Sequence, residues 1–185
     1  MQRQTTAILL TCAAIGVAGG LVFVLEGLIS GTVAAAAPFL YGATLGVYFL
    51  PGAIAMVLLR RPGVALLSAV IAGVVVSPFT SISVRAIAAT ALIGALQELP
   101  YAITRYRKRP VWLLYLGAVV AGAIFSAVVL VAFDVVSLAP GLQFVAVLSS
   151  VLAPVVFTAI GHAIALGVAR TGAARSLAWR PAPRS

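Results

Sequence analysis

The chain has 185 residues, 63% of them hydrophobic and 8% charged, and twelve Lys and Arg against three Asp and Glu give a formal net charge of +9. A soluble domain of this size has too few polar groups to cover so apolar a surface, and several apolar runs reach the roughly 20 residues that cross the ~30 Å hydrocarbon core of a bilayer. The composition argues for a polytopic membrane protein with no separate soluble domain. The positive charge does not indicate nucleic acid, because the basic residues cluster at the ends of the apolar runs, where they set topology and meet headgroups.

Six apolar segments are expected, at residues 5–28, 34–59, 64–77, 84–104, 111–133 and 142–169. They predict an all-α membrane protein of six transmembrane helices, with a short third span and a sixth long enough to tilt. The first run exceeds the 7–15 apolar residues of a cleaved signal and is read as a span. It carries Ala14 and Ala18, and Gly16 and Gly20. Such small-x-x-x-small pairs let helices approach closely, either within this chain or against another membrane subunit. Cys12, the single cysteine, is expected to be a core residue.

Arg3, Arg60, Arg61, Arg105, Arg107, Lys108, Arg109, Arg170, Arg175, Arg180 and Arg184 fall on one side of this arrangement, with Arg85 the exception. The positive-inside rule then puts both termini in the cytoplasm and makes the chain a multi-pass protein of the cell membrane. Residues 1–170 are expected to form one six-helix transmembrane domain, and 171–185 a basic cytoplasmic tail.

The chain has no phosphate-binding Gly-rich loop, no paired carboxylates and no Ser/His/Asp pattern, so it is read as neither an enzyme nor a nucleotide-driven motor. No metal-ligand spacing and no cofactor motif occur. The fourth segment supplies the sharpest feature. Gln97 and Glu98 lie in an apolar run, followed by Pro100 and Tyr101 and then the basic cluster. An ionisable residue inside a span costs about 2.5–3.5 kcal/mol on insertion scales, so it is a functional candidate by default. His162 stands eight residues before Arg170 and Glu98 seven before Arg105, which predicts similar depth and a shared cavity. Tyr48 and Tyr101 could stack on a planar ring. Trp112 and Tyr115 read as interfacial belt residues, and Glu26 and Asp134 as solvated span ends.

Residues 46–68, Gly-Val-Tyr-Phe-Leu-Pro-Gly-Ala-Ile-Ala-Met-Val-Leu-Leu-Arg-Arg-Pro-Gly-Val-Ala-Leu-Leu-Ser, resemble a block of the substrate-binding (S) components of energy-coupling factor (ECF) transporters. The likeness is to the subfamily assigned to thiamine or its hydroxymethylpyrimidine precursor. A second block, from Gly94 to Glu98 and on to Arg105 and Tyr106, resembles the family's Gly-x-x-x-Glu stretch. The resemblance implies a vitamin-capture subunit that works with a transmembrane T component and two ATPases of an ABC-type importer. It maps the family's carboxylate onto Glu98 and the T-component contact onto Ala14 and Ala18. Relatives carry further glutamates where this chain has Ala69 and Val74 to Val76. An uncharged pyrimidine or another small heterocycle thereby becomes as plausible a cargo as thiamine. The expected substrate-binding residues are Glu98, Tyr101, Tyr48, Gln97 and His162. The alternatives are an autonomous proton-coupled permease or small exporter using Glu98 and His162, and a membrane adaptor that transports nothing.

Overall fold

The computed structural model describes residues 2–80, 83–106 and 110–171, with side chains from Thr5 onward. The basic run 107–109 and the tail beyond 171 lie outside the described residues. All regular structure among the described residues is helical. Six helical units result: α1 (Gln2–Ala36), α2 (Pro38–Leu59), α3 (Val64–Val76), α4 (Val84–Ile103), α5 (Trp112–Ala132) and α6 (Pro140–Arg170). All but α3 are long and apolar enough to cross a membrane.

Prolines set several of the boundaries. The first helix runs eight residues past the end expected at Leu28 and stops only before Pro38. Proline disfavours the α region for the residue before it, and Ala37 leaves the helix at φ −149°. Pro51 has no N–H for the carbonyl of Val47, which instead accepts from Leu50. As a result α2 tightens to a 3-10 stretch over Leu45–Phe49 before resuming as an α-helix over Leu50–Leu59. Helix α3 has 13 residues, ~20 Å of rise, and cannot span a bilayer alone.

The helices pack in the cyclic order α1, α3, α4, α5, α6, α2, and α2 also leans on α3. Gly16 and Gly20 make the α1–α3 seam: an added Cβ would lie 2.7 Å from Ile71 Cβ at the first and 2.6 Å from Val75 Cβ at the second. At one end the core is built from Cys12, Met56, Leu59, Val64, Tyr101 and Leu114. At the other it is built from Phe23, Ala72, Val76 and Ala86, with Val47 and Tyr48 against them. Arg60, Arg61, Arg105 and Arg170 follow the C-termini of α2, α4 and α6 or end them and so share the first end, the one the positive-inside rule would place in the cytoplasm, whereas Arg85 lies in the first turn of α4 at the other. The length of α3 separates the two ends by ~18 Å.

Candidate functional site

Glu98 caps a helix that lies more than thirty residues away in sequence. Its Oε1 accepts from the amides of Ala65 at 2.7 Å and Leu66 at 3.3 Å, and its Oε2 from the amide of Gly63 at 2.9 Å and the hydroxyl of Tyr106 at 3.1 Å. The first amides of a helix have no intrahelical acceptor and carry the positive end of its dipole, so a carboxylate there replaces lost hydration. Gly63 makes the approach possible at φ +82°, a left-handed conformation that costs glycine little. Tyr106 and Arg105 hold the same region at φ +55° and +49°, where a non-glycine residue costs roughly 1–2 kcal/mol each. That backbone turn brings the tyrosine hydroxyl onto Glu98. Glu98 is 8% exposed, and the roughly four acceptor sites of its carboxylate are matched by four donors.

Gln97, next to it and 1% exposed, donates from Nε2 to the carbonyl of Phe49 at 2.8 Å and ties α4 to the 3-10 stretch of α2. Its amide oxygen fills the notch at Gly52, where a Cβ would collide with it.

A cavity of about 170 Å³ opens at the same end. Its polar wall is Arg60, Arg61, Tyr101, Tyr106 and His162, set against Met56, Val57, Leu114 and Leu166. Spacing predicted that Glu98 and His162 would share a depth and a cavity; both lie at this end, but His162 lines the cavity and Glu98 does not. Tyr106 links them, lining the cavity while donating to Glu98. The ring of His162 is 3.2 Å from the Tyr115 hydroxyl through Nδ1.

A second buried carboxylate sits at the opposite end. Glu26 on α1 is only 5% exposed, not the solvated span end its position suggested. Tyr48 donates to its Oε2 at 2.8 Å. The hydroxyls of Thr44 and Ser30 lie beside the same carboxylate. Both hydroxyls also lie within reach of a carbonyl of their own helix, Thr44 2.9 Å from that of Tyr41 and Ser30 3.4 Å from that of Gly27. Aromatic rings flank the group: Phe23 lies 4.3 Å from Tyr48 between centroids, and Tyr41 lies 4.4 Å from Phe133. A cleft of about 300 Å³ between α1, α2 and α6 reaches Glu26 and Thr44, with Val22, Ile29, Val47 and Phe157 on its walls.

The five residues expected to bind substrate therefore fall into two groups. Glu98, Gln97, Tyr101 and His162 gather at the basic end, and Tyr48 stands with Glu26 at the other. Glu26 was legible only through a pairing: Thr44 and Tyr48, four residues apart, put two hydroxyls on one side of α2. The two small-residue stripes of α1 also part company. Gly16 and Gly20 are buried against α3, while Ala14 and Ala18 are exposed on a groove of about 420 Å³ formed with Ile54, Leu58, Ile164 and Val168.

The sequence profile of the ABC-type cobalt transport system permease component matches residues 8–124, more than half of the chain. The chain belongs to that family. A crystal structure described as "an S-component of ECF transporter" superposes with a TM-score of 0.81 at 20% identity, over 92% of this chain and 88% of that one. The chain therefore has the S-component fold. No curated relative matches it. Among the described residues, no three His, Cys, Asp or Glu side chains converge as a metal site.

Proposed function

We propose that this permease component is the substrate-capture subunit of an ECF-type importer, binding thiamine, its hydroxymethylpyrimidine precursor or a similar small vitamin. Family membership and the S-component fold support a membrane subunit that binds a small molecule. One observation carries the location of the site: Glu26, a buried carboxylate at the outer end, is met by neutral hydroxyls alone, Tyr48 at 2.8 Å with Thr44 and Ser30 beside it, fewer donors than its acceptor sites, and stands beside aromatic rings. Burying a carboxylate with sites unfilled is costly, and a ligand bearing an amine or a ring cation would fill them. Tyr48 and Tyr41 would offer the ring its faces. Cobalt, named in the family's description, would instead call for several N, O or S donors arranged around it. Glu26, supplied with neutral hydroxyls and rings, better matches an organic ligand.

The groove bearing Ala14 and Ala18 is where the T component would dock, because these alanines are the stripe of α1 that internal packing leaves open. Two ATPases on that T component would supply the energy. An autonomous permease relaying protons from Glu98 to His162 finds less support, since Glu98 is held by amides and Tyr106, and His162 pairs with Tyr115.

Purification of the chain alone followed by mass spectrometry of the small molecule it retains tests this reading. A bound pyrimidine or thiazolium compound, with uptake into liposomes only when the T component and ATPases are present, is the expected result. Uptake by the chain alone under a pH gradient would overturn it.

A further inference from the structure

We propose that the cytoplasmic-end cavity is an anion site that binds a phosphate group, independently of the vitamin carried at the other end. Three observations carry this. The first is charge without a counter-charge on the wall: Arg60 and Arg61 line the cavity beside His162, and the nearest carboxylate, Glu98, is engaged with three amides and Tyr106. The second is an unanswered donor. The Nε of Arg61 is buried and has no hydrogen-bond partner, a cost of about the desolvation of one charged N–H unless a ligand meets it. The third is backbone geometry. Arg60 caps α2 in the left-handed region at φ 49°, its amide donating to the Met56 carbonyl. Glycine is the residue that position favours, yet an arginine occupies it and its side chain reaches the cavity wall.

The donor set fits a tetrahedral oxyanion. Guanidinium groups present paired N–H donors to phosphate oxygens. With Nδ1 of His162 turned to Tyr115, its Nε2 is the ring nitrogen left for a ligand. The cavity's apolar side, Met56, Leu114 and Leu166, suits the glycerol and first methylenes of an acyl chain. A phosphodiester headgroup from the inner leaflet and a free phosphate share this chemistry, and basic pockets between helices on the cytoplasmic side are a recurrent place for the former.

Full-length protein, delipidated in a neutral maltoside, is titrated with dihexanoyl phosphatidylglycerol and, separately, with inorganic phosphate, and its thermal unfolding midpoint is followed. A saturable rise is expected, weakened roughly tenfold in apparent affinity in R61Q, as loss of one charge-assisted hydrogen bond implies, and by a smaller factor of about three in H162Q. The R85Q variant, exposed at the far end, should keep the rise. A response to phosphatidylglycerol alone assigns the site to lipid, and an equal response to phosphate assigns it to the free anion. No saturable response to either, or one unchanged in both variants, overturns the proposal. Should R61Q fail to fold, R60Q replaces it, because Arg60 is exposed and carries the same charge.

Discussion

The chain buries two glutamates, and their surroundings differ in the number of donors supplied. Glu98 receives three main-chain amides from the start of α3 and one tyrosine hydroxyl. Glu26 receives a tyrosine hydroxyl at 2.8 Å and has beside it two further hydroxyls, each of which also reaches a carbonyl of its own helix, and no main-chain amide. A carboxylate whose acceptor sites are filled by backbone is part of the architecture, and one with sites left over is chemically available. Burial alone does not distinguish them, since they are 8% and 5% exposed.

Replacing each group should separate these roles. E98A strips three buried amides of their acceptor and should cost about 3–5 kcal/mol, read as a large fall in the unfolding midpoint or a failure to accumulate in the membrane. A loss below ~1 kcal/mol would mean that water reaches the start of α3 and that the cap is dispensable. The same contrast of filled against open runs along α1. G16V forces a branched side chain onto Ile71 and should cost about 1–3 kcal/mol, whereas A14V, on the open groove, should stay within ~0.5 kcal/mol yet impair co-purification with the T component. Y106F removes one of four donors to Glu98 and should cost about 0.5–1.5 kcal/mol in thermal unfolding. E26Q keeps the shape and an acceptor for Tyr48, so its stability should lie within ~1 kcal/mol of wild type.

Sequence was a good guide to the helices because apolar length, proline and arginine act locally along the chain. It placed six apolar units and put Arg60, Arg61, Arg105 and Arg170 at one end. It stopped α1 too early, since the small and polar residues after Leu28 look like a loop until Pro38 is weighed as the true break. The identity of Glu98's partners was not legible. Main-chain amides carry no sequence signature; their approach depends on Gly63, and that of the fourth donor on the left-handed conformation of Tyr106. Aromatic character and the resemblance of residues 46–68 grouped Tyr48 with Glu98 as one site, whereas the Tyr48 hydroxyl bonds Glu26 and Glu98 bonds the start of α3. The two alanines and two glycines of α1 are interchangeable as a pattern, and only packing against Ile71 and Val75 tells which pair is used internally.

The claim that the outer carboxylate meets the cargo while the inner one holds α3 is tested most directly by titration calorimetry of thiamine and hydroxymethylpyrimidine against purified wild type, E26Q and E98Q. The account predicts that E26Q binds at least ~10-fold more weakly, as expected for one lost charge-assisted contact, while the folded fraction of E98Q binds as wild type does. Undiminished binding by E26Q together with loss in folded E98Q would contradict it.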